Sequence, residues 1–189
     1  MWAFVDLWYR NQGTENTGYA KDGFTALIHG KYYHEETRAT ASQVTKFPGG
    51  QYLIVRDMAE ALLVCQYIEG TLDREGLMVQ LGKGAGPGFD PEQHLARIGV
   101  ANQTTMLARE SLAIAEAVGD AMARAFGESH RAFHFRSFDT ICSATQDRQD
   151  AVDELLREPL DTMLVIGGYN TSNTISLAAI CATKVATYH

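Results

Sequence analysis

Phe24-Thr-Ala-Leu-Ile28 is a short apolar run that stops at His29-Gly30, and residues 34–43 follow it with Glu35 and Glu36 at their start. The run has the length and composition of a buried strand. The sequel reads as a helix whose acidic first turn suits the positive end of the helix dipole. The same unit recurs down the chain. Residues 52–55 read as a strand, and Asp57 then opens a helix with Glu60 three residues on, as in a capping box. Met58, Ala61, Leu62, Cys65 and Ile68 share that helix's apolar face. Residues 96–101 read as a strand and 105–126 as a long helix stopped by Gly127. A strand at 132–138 leads to a helix at 145–157 that ends before Pro159. A strand at 163–166, a helix at 172–183 and a strand from 185 to 188 complete the order. Strict alternation of strand and helix predicts an α/β fold with mostly parallel sheets flanked by helices.

Two stretches break the pattern. Residues 1–23 mix Trp and Tyr with Asn, Gly, Thr and Glu and read as a poorly patterned lead-in. Residues 70–88 read as loose. Their segment Gly82-Lys-Gly-Ala-Gly-Pro-Gly88 fits neither phosphate-loop spacing and follows no strand, so it reads as a flexible surface loop.

Composition narrows the function. The 189 residues are 46% hydrophobic and 21% charged, ordinary for a globular protein. Net charge is −7 with no basic run, which argues against a nucleic-acid partner. A small anion can still be held locally by helix N-termini, hydroxyls and imidazoles. No apolar stretch is long enough to span a membrane, and the first residues lack a secretory signal, so no membrane partner and no secretion are expected. The cysteines are Cys65, Cys142 and Cys181, too few and too scattered for a disulfide framework.

In parallel α/β sheets, ligands bind beyond the C-terminal ends of strands. Four polar loops fall there: residues 29–37, 102–106, 139–146 and 167–174. Each has a plain structural reading. His34 and Glu36 can be solvated first-turn residues. Thr104 can be an N-cap, and Thr171, Ser172 and Asn173 can be turn and cap residues. Cys65 and Cys181 lie among apolar helix residues and read as packed thiols. Cys142 sits between a strand and a helix start, where backbone N–H groups favour a thiolate, and a ligand role and a structural role both stand. His130 and His134 are four apart, but the Glu of H-E-x-x-H is absent, and zinc is not expected. No nucleophile elbow supports a Ser–His–Asp triad.

Together the four loops resemble one family, 4-hydroxy-3-methylbut-2-enyl diphosphate reductase, in its plant and cyanobacterial branch. The motifs are His29-Gly-Lys-Tyr-Tyr-His-Glu-Glu-Thr-Arg-Ala-Thr-Ala-Ser42, Gly99-Val-Ala-Asn-Gln-Thr-Thr-Met106, Phe138-Asp-Thr-Ile-Cys-Ser-Ala-Thr-Gln-Asp-Arg-Gln-Asp-Ala-Val152 and Val165-Ile-Gly-Gly-Tyr-Asn-Thr-Ser-Asn-Thr174. The resemblance implies three similar α/β domains around a 4Fe–4S cluster held by three cysteines. It implies that residues 24–138 form a complete middle domain and residues 139–189 a truncated third domain.

The resemblance also implies roles. Cys142 becomes a cluster ligand, His34 a diphosphate contact and Glu36 the proton source. Thr104 orients substrate and relays the proton. Thr171, Ser172 and Asn173 form part of the diphosphate clamp, Thr171 standing where the family usually has Ser. The implied reaction is a two-electron reductive dehydroxylation giving isopentenyl and dimethylallyl diphosphate, the last step of the methylerythritol phosphate route. The implied electron donor is a ferredoxin-like carrier, and the implied compartment is plastid stroma or bacterial cytoplasm. The first domain, with its cysteine, and the end of the third are expected to be missing. With one ligand-context cysteine, the chain alone is expected to hold no stable cluster and to be inactive. A diphosphate-binding domain without redox chemistry is the alternative.

Overall fold

The computed structural model describes residues 23–102, 108–137, 143–168 and 171–189. They fall into two compact units, the first containing residues 23–102 and 109–137, the second residues 143–168 and 171–189.

The first unit is built on four strands: β1 (Thr25–His29), β2 (Tyr52–Val55), β3 (Ile98–Asn102) and β4 (Phe135–Ser137). They run parallel in the order β2-β1-β3-β4. All five residues of β1 are buried, as expected of a central strand covered on both faces. Side chains alternate across it. Leu27 joins Leu53, Val55, Ile98 and Val100 on one face, against Val64 and Cys65 of α2 (Met58–Ile68) and Ile114, Val118 and Met122 of α5 (Ala108–Phe126). Ala26 and Ile28 point the other way, against Ala41 and Val44 of α1 (Glu35–Val44). The capping expected at Asp57 is present: its carboxylate accepts from Glu60 N at 3.0 Å. The Glu60 side chain reaches back to the backbone N of Arg56 at 2.7 Å, one residue short of the usual reciprocal partner.

The second unit contains α7 (Ser143–Leu155), β5 (Thr162–Leu164), α8 (Ser172–Ala182) and β6 (Ala186–Tyr188), with β5 and β6 paired in parallel. The expected class, parallel sheets flanked by helices, holds for both units.

Three local expectations fail. Residues 70–88 are not loose. Asp73 caps α3 (Arg74–Leu81) by accepting from Gly76 N at 2.7 Å, and Leu77 and Leu81 bury one helical turn apart in the core. A further turn, α4 (Pro91–His94), starts behind Asp90 with Pro at its first position.

The glycine-rich segment is not a flexible surface loop either. Gly86 N donates to Tyr52 O at 2.9 Å, and Ala85 bridges Leu53 in antiparallel sense, so the segment lies along β2 at the sheet edge. Glycine is needed there for close approach, since a Cβ at Gly84 would come within 2.7 Å of the Ile54 carbonyl.

The strand expected at 132–138 begins only at Phe135. Residues Arg131–His134 form a helical turn, α6. Local contacts favour it. The His134 ring stacks on Phe126 at 4.0 Å and its Nδ1 bonds Ala96 O at 2.7 Å, while Arg97 lies 3.9 Å over the Phe133 ring.

Candidate functional site

β1 ends at His29, flanked in register by Val55 of β2 and Asn102 of β3. The C-terminal ends of β1, β2 and β3 therefore lie side by side, at the edge where parallel sheets bind ligands. His34 is the N-cap of α1, and its Nδ1 accepts from Glu36 N at 3.3 Å. Using Nδ1 as acceptor puts the proton of the neutral ring on Nε2, which becomes a donor suited to an anion. Glu36, half-buried, stands in the same first turn, and its carbonyl accepts from Thr40 Oγ1 at 3.0 Å. An imidazole donor and a carboxyl two residues apart, on a helix start at a strand end, can bind an oxyanion and hand over a proton.

Beneath this pair lies His29, which sequence reasoning quoted but gave no role. It is fully buried, with Nδ1 2.8 Å from Ser111 Oγ of α5. Its Nε2 is buried without a hydrogen bond among the described residues. Burial lowers its pKa from 6.5 to about 4; the Arg56 backbone and Asp57 push weakly the other way. The ring is neutral at pH 7. The signal in the sequence is a histidine closing a mainly apolar strand, where water cannot reach its charge.

In the second unit, Thr171 is the N-cap of α8, yet its hydroxyl makes no capping bond. It donates to Gly168 O at 2.9 Å and pairs with Thr174 Oγ1 at 2.6 Å. Gly167 and Gly168 permit this turn, since a Cβ on Gly167 would collide with Thr174 and one on Gly168 would meet Thr171 Cγ2 at 2.8 Å. Asn173 keeps Oδ1 buried without a hydrogen bond among the described residues. A helix start not capped by its own N-cap hydroxyl, beside an unsatisfied amide, suits a polar ligand. Thr104, Cys142 and the side chain of Ser172 lie outside the described residues.

The other two cysteines are built for packing. Burial pushes the Cys65 thiol up to about 11, and burial also raises that of Cys181. A cluster ligand must be a thiolate, so both environments oppose ligation. Nδ1 of His130 faces Ser129 Oγ at 3.2 Å, while that of His134 is taken by Ala96 O.

Parallel sheets flanked by helices, in both units, define an α/β protein. The LytB protein family model matches residues 10–189, and the chain belongs to that family. It is 48% identical over 170 residues to the 4-hydroxy-3-methylbut-2-enyl diphosphate reductase of Synechococcus sp. (strain WH7803), covering 89% of this chain and 41% of that one. It is likewise 48% identical over 166 residues to the reductase of the same name from Gloeobacter violaceus, covering 88% of this chain and 39% of that one. The chain thus spans about two fifths of the curated relatives it matches. The solved structure of the E-1-hydroxy-2-methyl-but-2-enyl-4-diphosphate reductase from Plasmodium falciparum covers 90% of this chain at 18% identity, with a TM-score of 0.55 and 42% of its own length matched. The fold is therefore shared with a reductase of this kind.

Proposed function

We propose that this chain supplies part of an enzyme that reductively dehydroxylates 4-hydroxy-3-methylbut-2-enyl diphosphate to isopentenyl and dimethylallyl diphosphate. The observation that carries the reading is the His34–Glu36 pair at the C-terminal edge of a parallel sheet, in a chain 48% identical to reductases of that name. In the reaction the allylic C–O bond breaks and the oxygen leaves as water. Two electrons enter the carbon skeleton, with one proton for the leaving oxygen and one for carbon. Glu36 gives the proton to the leaving oxygen, with Thr104 orienting substrate and relaying it. His34 donates Nε2–H to the diphosphate. Thr171, Ser172 and Asn173 hold diphosphate oxygens at the start of α8. Residues 24–138 act as the middle domain and 139–189 as part of the third.

The family uses a 4Fe–4S cluster, which supplies the electrons and a Lewis-acidic iron when bound. This chain's donor set does not fit such a cluster by itself. Cys65 and Cys181 are packed, which leaves Cys142 as the ligand and two further thiolates to come from outside residues 1–189. The electrons would come from a ferredoxin-like carrier. For the isolated chain, the two packed thiols favour the second reading, diphosphate binding without redox chemistry.

A graft tests the proposal. This chain replaces the matching segment of the Synechococcus WH7803 reductase, and turnover is followed anaerobically with reduced methyl viologen. The graft should be active, and Glu36→Gln should cut kcat by about 100-fold or more with KM little changed. A folded, cluster-loaded graft without activity, or an unaffected Glu36→Gln, would refute it.

A further inference from the structure

A cleft of about 330 Å³ opens in the first unit on the side of α1 away from Glu36. Arg38 and Ser42 line it from α1, Thr45 from the C-cap of α1, Tyr52 and Ile54 from β2, and Lys83 from the glycine-rich segment. Arg38, Ser42 and Thr45 share a helix face, and at about 100° per residue that face lies roughly half a turn from Glu36. The cleft thus opens away from Glu36, and neither His34 nor Glu36 lines it.

Its charge is distinctive. In this acidic protein, Arg56, Arg74, Arg124 and Arg131 are each held by carboxylates. Arg38 and Lys83 are exposed and have no ion pair or side-chain hydrogen bond among the described residues, and no carboxylate lines the cleft. Two unpaired cations on one concave surface suit a phosphate, while the Ser42 and Thr45 hydroxyls beside them already donate to Ala39 O and Ser42 O. The apolar wall of Tyr52 and Ile54, with Tyr32 at the rim, suits a compact apolar group. Lys83 is held in place because Gly84 and Gly86 press its segment onto β2. The glycine run that fits no phosphate-loop spacing therefore has a use: it carries a cation to the edge of the sheet.

We propose that this cleft is a second small-anion site, which binds an organic phosphate bearing a compact apolar group. The phosphate lies between Arg38 and Lys83 and the apolar group against Tyr52 and Ile54.

The probe is phenyl phosphate, titrated into the 189-residue chain by calorimetry and by NMR of the Ile54 methyl groups, with inorganic phosphate as comparison. Phenyl phosphate should bind one per chain, about 10-fold tighter than inorganic phosphate, and shift Ile54. Arg38→Gln with Lys83→Gln should weaken it about 10-fold or more, with the thermal unfolding midpoint unchanged because both side chains are exposed and unpaired. Either single variant, tested alone, should weaken it in the same direction. His34→Ala should leave it intact. No saturation by about 10 mM, equal binding of inorganic phosphate, or loss in His34→Ala rather than in the cation variants would each overturn the proposal.

Discussion

His29 Nδ1 and Ser111 Oγ lie 2.8 Å apart, which ties the C-terminal end of β1 to α5, just before the loop that leads to His34 and the first turn of α1. The bond crosses 82 residues of sequence and is fully buried. It holds the floor of the candidate site to a core helix.

That floor titrates. The ring's pKa is 6.5 in an unfolded chain and about 4 when folded. The unfolded state takes up the proton first as pH falls, so the stability due to the neutral ring is complete above about 6.5 and drains away between there and about 4. The loss from this group reaches about 2 kcal/mol at pH 5 and about 3 kcal/mol at pH 4. Urea unfolding at pH 7.5 and 5.0 should show a steeper fall in the native protein than in His29→Gln. Equal slopes would show that the ring is not held neutral.

Asp57 caps α2 and, held by the Glu60 amide, has a carboxyl pKa below the usual carboxylate range. Asp57→Ala should cost about 1 kcal/mol of stability, read as a lower urea midpoint at constant slope, while Asp57→Ser should recover most of it. A serine variant as unstable as alanine would remove the capping explanation.

Gly84 admits no side chain. A Cβ there meets the Ile54 carbonyl, which belongs to the sheet and cannot swing aside. Gly84→Ala should destabilise by about 1–3 kcal/mol, whereas Gly88→Ser, with open space around its Cβ position, should cost less despite its positive φ. The reverse order in thermal melts would contradict the packing described along β2.

Cys65 and Cys181 should resist modification in the folded chain, because burial keeps both as thiols. Ellman's reagent at pH 8 should reach them only as fast as the chain unfolds, and Cys65→Ala with Cys181→Ala should leave iron uptake by the grafted enzyme unchanged. Rapid labelling of Cys65, or lost iron, would mean that these thiols are available after all.

Most of the first unit was legible because β1, β2 and β3 are mainly apolar and stop at abrupt polar stretches; β2 matches residue for residue, and β1 and β3 are displaced by one or two. α3 was hidden by composition. Gly70, Gly76 and Gly82 mask a helix whose real signals are the cap at Asp73 and the pair Leu77 and Leu81. The turn α6 does not show in the sequence because Ala132, Phe133 and Phe135 look like strand residues, while the deciding contacts come from nearby Phe126 and from Ala96 and Arg97, far off in sequence. At the site, His34 and Glu36 were visible through their motif and sit as a helix-start pair. The burial of His29 was not visible, because it depends on α5 closing over the end of β1.

β2 is the outer strand of its sheet, and such a strand invites hydrogen bonding by any extended chain that meets it. Residues 84–87 occupy that position, with Gly86 N on Tyr52 O and Pro87 O taken by Gln51 Nε2 at 3.2 Å. A partner strand arriving from another molecule finds the ladder already engaged and a proline in its way. The segment therefore keeps this side of the sheet from seeding aggregates, as a guard against self-association during folding.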